Sequence, residues 1–188
     1  VVTNERFARA DTSVTGQVIR ILSTQPDAVM TGGAGTAGAL PYLTLRQRGY
    51  NKPIFGPHSL INPEFIRVGG PAVQGTIVPS GPVVVAEQLE DSNPTKKVAL
   101  AFREYYQKAN NQEAKDSLSP YAFDAWSPMP DAAKRVLAKG VKPGTAEFRA
   151  ALRDAILQTS ELVGTHGVYN FKPGAFYGVD ERARVLIK

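Results

Sequence analysis

Two patterns of apolar residues alternate along the chain. Apolar positions at helical spacing predict helices, and these lie at residues 14–24, 37–48 and 146–158. Short continuous apolar runs predict strands, and these lie at residues 28–31, 54–55 and 75–78. Such alternation of helices and strands is typical of an α/β fold with a mainly parallel sheet.

Further along, two helices are predicted from their start signals. Asp91-Ser92-Asn93-Pro94 opens an amphipathic helix to about residue 109, and Ser119-Pro120 opens another. Pro128 and Pro130 fall within that second helix, where each would cost about 3 kcal/mol in a helix interior. We therefore expect a break or kink at these prolines.

Between the strand at 75–78 and the helix after Pro94 lies a stiff connector, Pro79-Ser80-Gly81-Pro82. Two prolines cannot both donate to a strand ladder, so this connector is interpreted as a crossing between lobes rather than a hairpin. Residues 83–86 are predicted to continue as an extended segment.

The most informative stretch is residues 26–58, in which two special turns follow two predicted strands. The first strand ends at the glycine turn, defined here as residues 32–38, and the second ends at Gly56-Pro57-His58. The carboxyl ends of parallel strands meet at one edge of a sheet, where ligands bind in α/β folds. This edge is therefore the predicted site.

The glycine turn allows three interpretations. Gly33, Gly35 and Gly38 match the dinucleotide-binding fingerprint, but that site also needs an acid about 20 residues on, and no Asp or Glu occurs between Ala28 and Pro63. The turn can instead be purely structural. Alternatively, the N–H groups of Gly35 and Thr36 hold a carboxylate.

Candidate polar and aromatic groups are few. His58, at a strand end, is either a donor to an anionic ligand or a surface or core histidine, whereas His166 is interpreted as structural. Tyr121 near a helix start is either a core residue or a ring that stacks on a ligand. The context of a catalytic triad and histidine pairs at zinc spacing are both absent from the sequence, so we predict a non-enzyme without cofactor or metal.

Composition narrows the function classes. The 188 residues include no cysteine, which excludes disulfides and thiolate sites. The net charge of +5 comes from scattered basic residues mixed with acids, so nucleic acid is not predicted as a partner. No apolar run approaches the roughly 18 residues of a membrane span.

An ordered set of short motifs covers essentially the whole chain. The set comprises Asp11-Thr12-Ser13, Pro26-Asp27-Ala28-Val29, Gly56-Pro57-His58, Val68-Gly69-Gly70, Asp91-Ser92-Asn93-Pro94, the run from Thr145 to Asp154 and Gly178-Val179-Asp180-Glu181-Arg182-Ala183. Through this set, the chain resembles the type I periplasmic solute-binding proteins of branched-chain amino-acid ABC transporters.

The resemblance implies a fold of two α/β lobes that are joined by three crossovers and close on a ligand by a hinge. It assigns residues 1–79 to the second lobe, 80–173 to the returning part of the first lobe, and 174–188 to the last crossover and terminal strand. Family members are longer, so the chain is expected to lack an N-terminal part. A periplasmic location and a membrane permease as partner are also implied.

The resemblance also carries over three site positions. His58 replaces a glutamate that pairs with the ligand ammonium, Ala34 replaces an aromatic residue, and Tyr121 matches an aromatic that lines the pocket. A histidine is a poor partner for a cation, and alanine enlarges the pocket, so a small organic carboxylate such as an aromatic acid is expected in the cleft, held also by Gly35 and Thr36. Branched-chain amino-acid binding, a nucleotide-dependent enzyme and a ligand-sensing receptor domain are the alternatives.

Overall fold

The structure is a computed structural model that describes residues 1–114, 117–175 and 177–188. Residues 115–116 and 176, which fall within the predicted segments 80–173 and 174–188, lie outside the described residues. The chain divides into two compact units. The first contains Val1–Ser80 and Leu186–Lys188, and the second contains Gly81–Val185. The assignment of these segments to family lobes stays a prediction.

The described elements alternate between helix and strand in the first unit and are mainly helical in the second. The α-helices are α1 (Thr15–Ser23), α2 (Leu40–Gln47), α3 (Pro63–Gly69), α4 (Lys96–Asn110), α5 (Ser119–Trp126), α6 (Pro128–Leu137) and α7 (Ala146–Leu157). The strands are β1 (Val29–Met30), β2 (Ile54–Phe55), β3 (Val78–Ser80), β4 (Leu162–Val163), β5 (Val168–Tyr169) and β6 (Val185–Ile187).

The first unit is built on a short parallel sheet. Val29 of β1 pairs with Ile54 of β2, and a parallel bridge joins Phe55 to Ile77. The strand predicted at residues 75–78 begins later than expected. In the structure, β3 spans Val78–Ser80 and pairs with β6. The pattern missed this shift because Pro79 lies inside β3 with its side chain exposed, as proline does on exposed positions of edge strands.

The helices of the first unit cover this sheet with apolar side chains. Val14 and Val18, four residues apart at the start of α1, are both buried, as the spacing predicts. Tyr42 of α2 is also buried and meets Phe65 of α3 edge to face, with 5.2 Å between ring centroids. The Asn62 side chain accepts a hydrogen bond from the Phe65 N–H at 2.8 Å and thereby caps α3.

In the second unit, the segment predicted as extended is helical. Residues Pro82–Gln88 form a 3₁₀ helix with an irregular backbone at Val85, rather than a continuation of the connector. Val83 and Ala86, three residues apart, are buried against Ala99 and Phe102 of α4. The run of three valines favours an extended chain locally, but the three-residue period of a 3₁₀ helix places two apolar residues on one packed face.

The predicted break at the prolines is present between α5 and α6. Ser127 keeps helical backbone angles, and its N–H still donates to the Phe123 carbonyl at 3.0 Å. Pro128 and Pro130 then occupy the first turn of α6, where a helix needs no intrahelical N–H donors. The prolines therefore separate two helices without a loop between them.

Candidate ligand-binding site

The glycine turn follows β1 and owes its glycines to its own geometry. A Cβ added at Gly33 would lie 2.6 Å from the Gly38 Cα atom, so the two glycines pack backbone against backbone. Gly35 has a φ of +57°, in the left-handed region that favours glycine. The three glycines of the fingerprint are thus required by the turn itself, without any nucleotide.

The turn after β2 lies next to the glycine turn, as the parallel arrangement predicts. The Thr31 N–H donates to the Phe55 carbonyl at 2.9 Å and carries the pairing to the ends of both strands. Beyond it, the Ser59 hydroxyl donates to the Gly33 carbonyl at 3.0 Å. His58 begins the 3₁₀ helix that contains Ser59, so the structure brings His58 and the glycine turn to the same edge of the sheet.

His58 is half-buried, and this burial lowers the pKa of its imidazole below the ordinary value for histidine. The ring is therefore neutral at neutral pH. A neutral imidazole has one N–H donor and one acceptor nitrogen, so it can hydrogen-bond an oxygen of a ligand without contributing a charge.

The other predicted residues of this unit are accessible. Ala34 and Thr36 are exposed and Gly35 is half-buried. No other described residue accepts a hydrogen bond from the N–H of Gly35 or Thr36. A Cβ added at Gly32 or Gly35 would meet no atom within 4 Å, so open space lies above the turn. The turn can therefore offer N–H groups to a small acceptor.

A cavity of about 230 Å³ lies against the glycine turn. It is lined by residues 32–35, Ala37, Phe7 and Arg9. Neither Phe7 nor Arg9 is among the residues predicted from the sequence. They come from a stretch with no helical or strand periodicity, in which the available signal was an aromatic residue two positions before a basic one.

Tyr121, the remaining predicted site residue, belongs to the second unit. It lies in the first turn of α5 and stacks on His166, with 3.7 Å between ring centroids and 6° between ring planes. The ring is 42 % exposed, whereas His166 is buried. Burial is the main cause that raises the pKa of the Tyr121 hydroxyl, and the nearby charge of Asp124 raises it further. One face of this ring is thus occupied by a side chain of its own unit.

Asp124, which the sequence analysis also missed, organises the surroundings of this stack. Its carboxylate is buried and accepts hydrogen bonds from three donors: the Thr165 N–H at 2.7 Å, the His166 N–H at 2.8 Å and the Tyr169 hydroxyl at 2.7 Å. Burial and the bond to this carboxylate raise the pKa of Tyr169. In the sequence, the sign of this role for Asp124 was a lone acid in the apolar run 121–126.

Metal sites and membrane spans are two further classes of feature, and neither is present in the described residues. No group of three or more histidine, aspartate or glutamate side chains in this part of the chain is placed to hold a metal ion. Within the same ranges, none of the helices is both long and apolar enough to cross a membrane.

Comparison with known proteins gives a family match over most of the chain. The family model described as "Periplasmic binding protein" matches residues 1–171. A search of the curated proteins gives no match.

Solved structures match over the whole length of the chain. An extracellular ligand-binding receptor from Rhodopseudomonas palustris is 40 % identical with a TM-score of 0.86, and one from strain HaA2 is 38 % identical with a TM-score of 0.87. The chain is covered completely in both cases but spans only 52 % of each receptor. A putative branched-chain amino acid ABC transporter from Rhodospirillum rubrum is 26 % identical, with a TM-score of 0.73 over 100 % of this chain and 48 % of that one. These matches confirm the predicted type I periplasmic-binding-protein fold.

Proposed function

Since the chain belongs to the periplasmic binding protein family, we propose that it is part of the substrate-binding component of an ABC transporter. In this role it binds a small organic carboxylate outside the cytoplasm and delivers it to a membrane permease without chemical change. The extracellular ligand-binding receptors of Rhodopseudomonas palustris, to which the chain is similar, support the extracytoplasmic location.

The proposed ligand class rests mainly on His58 and its surroundings. It is half-buried beside the glycine turn with a pKa that burial lowers, and no acidic residue occurs between Ala28 and Pro63. An ammonium group would therefore find no carboxylate on this segment, whereas an anion would find the N–H groups of Gly35 and Thr36. This chemistry favours an acid that carries no amine.

The small side chain of Ala34 supports an acid with a bulky apolar part. Ala34 is exposed on the glycine turn and lines the same cavity as Phe7. A flat aromatic acid fits these surroundings better than an aliphatic amino acid of the same length. A contact of Tyr121 with the ligand stays a prediction of the family resemblance.

Branched-chain amino-acid binding is the second candidate. Its support is the relative from Rhodospirillum rubrum, whose description names such a transporter. The nucleotide-dependent enzyme has weaker support, because the packing of Gly33 on Gly38 accounts for the glycine pattern that suggested it.

A thermal-shift screen separates these candidates. Aromatic acids, leucine, isoleucine and NAD would each be added to the 188-residue chain, with aromatic amides of the same shape as neutral controls. Stabilisation by the acids, and not by their amides, is the expected result. Stabilisation only by leucine or isoleucine would contradict the proposed ligand class, and stabilisation only by NAD would contradict the transport function.

A further inference from the structure

We propose that the cavity between Arg9 and the glycine turn is the subsite that holds the carboxylate of an aromatic acid, with Arg9 as the cation and Phe7 as the wall for the ring. This inference rests on the proposed function and adds a charged binding residue to it. The cavity lies entirely within the first unit, so its chemistry can be argued from that unit alone.

Arg9 is held at the tip of a closed turn. The Asp11 N–H donates to the Ala8 carbonyl at 3.0 Å, and the Asp11 side chain accepts from the Ala8 N–H at 2.7 Å. The nearest acid in the sequence is thus used by the backbone of the turn. Phe7 packs against the core of the first unit immediately before the turn, so the position from which the Arg9 side chain projects is defined.

The Arg9 guanidinium has no counterion within the described residues. Two other arginines of the same unit are paired, since Arg20 contacts Glu5 at 2.7 Å and Arg67 contacts Glu64 at 2.6 Å. Arg9 is one of the residues that line the cavity, and a guanidinium presents several N–H donors in one plane. A carboxylate matches that arrangement with two parallel hydrogen bonds.

The glycine turn adds a donor and space. Gly35 lines the cavity, its N–H group has no acceptor among the described residues, and nothing lies within 4 Å of a Cβ added at Gly32. A volume of about 230 Å³ lies below the roughly 300–1,000 Å³ of sites for drug-sized molecules, so the cavity suits a compact acid. Phe7 provides the aromatic surface on which a flat ring can pack.

Isothermal titration calorimetry of the 188-residue chain with benzoate tests this subsite, and benzamide is the uncharged probe. Arg9→Gln is expected to raise the Kd for benzoate at least about tenfold, because a charge-assisted pair is lost. Arg48→Gln is the matched control, since Arg48 is exposed at the end of α2 and does not line the cavity. The control should bind benzoate like the wild type, and benzamide should bind no variant tightly.

A second variant keeps the test decisive if Arg9→Gln fails to fold. Gly32→Val adds atoms to the cavity where an added Cβ meets no protein atom, so it should weaken benzoate binding without lowering the melting temperature. Equal benzoate affinity in the wild type, Arg9→Gln and Gly32→Val would overturn the subsite and leave the proposed function intact. Failure of the wild type to bind benzoate or any other carboxylate would overturn both.

Discussion

Asp124 is a buried acid in which both oxygens are occupied. Its donors, Thr165, His166 and Tyr169, lie 41 to 45 residues later in the chain, on the turn between β4 and β5 and on β5 itself. A buried carboxylate without such donors would destabilise the fold, because no hydrogen bonds would offset the free-energy cost of removing the charge from water. The three bonds therefore tie α5 to the β4–β5 hairpin and hold His166 against Tyr121.

Replacing Asp124 with Asn should destabilise the second unit by about 2–4 kcal/mol, because one oxygen that accepts hydrogen bonds becomes a donor facing other donors. Urea unfolding followed by circular dichroism measures this loss. Asp154→Asn is the matched control, since Asp154 is exposed and paired with its neighbour Arg153, and it should cost less than about 0.5 kcal/mol. Equal effects of the two substitutions would contradict the role of Asp124.

His58 allows a test of the ligand class at a single position. His58→Glu places an acceptor for an ammonium group beside the glycine turn, so leucine should stabilise this variant more than the wild type. His58→Gln, which adds no charge, should not gain leucine binding. Thermal shifts with leucine compare the three proteins, and an equal response in all of them would show that His58 does not set the preference.

At the scale of elements, the junction of α5 and α6 shows how prolines can divide a helical stretch. The backbone stays helical through Ser127, yet Pro128 and Pro130 offer no N–H to the last carbonyls of α5. Both prolines lie in the first turn of α6, where their fixed φ is favourable. The destabilisation that a proline causes therefore depends on its position within the helix.

We expect Pro130→Ala to change the free energy of unfolding by less than about 1 kcal/mol, because the first turn needs no N–H donors. Ala133→Pro, one turn further into α6, should cost about 3 kcal/mol or more, since it removes an interior hydrogen bond and clashes with the preceding turn. Chemical denaturation compares the two variants. A large loss from Pro130→Ala would contradict the assignment of a new helix at Pro128.

Elements with a clear period were predictable, and short segments without one were not. Val14 and Val18 marked α1 because their spacing repeats every helical turn, and both are buried. The three valines at 83–85 favoured an extended chain, but contacts with α4 determine their 3₁₀ conformation. β4, only two residues long, is defined by its antiparallel pairing with β5, which local sequence does not reveal.

The same reasoning applies to the candidate site. The meeting of His58 with the glycine turn followed from parallel strands that are adjacent in sequence, and the bond between Ser59 and Gly33 agrees with it. Arg9 lies more than 20 residues before the glycine turn, so only the folded structure brings it to the cavity. The role of Tyr121 toward a ligand stays a prediction.

For the whole molecule, stability should fall in two stages as the pH is lowered. The pKa of His58 is lowered by burial, so its neutral form stabilises the fold fully above the unfolded pKa of about 6.5, and this contribution is lost as the pH falls through the lower folded value. Ion pairs lower the pKa of several surface carboxylates, such as Glu64 and Asp180, whose contributions are lost only in stronger acid.

Comparison of the wild type with His58→Gln isolates the first stage. The difference in urea midpoint between the two proteins should be constant above about pH 7 and should change as the pH falls below about 6.5, because only the wild type has a half-buried imidazole whose protonation destabilises the fold. A difference that is independent of pH over this range would contradict the lowered pKa of His58.

The stack of Tyr121 on His166 has a spectroscopic consequence. The chain contains two histidines, His58 in the first unit and His166 in the second. Because the Tyr121 ring lies parallel to the His166 ring at 3.7 Å, its ring current shields the imidazole protons of His166 and moves their proton resonances upfield. The two histidine signals are thereby separated in an NMR spectrum, so each compact unit carries its own natural reporter.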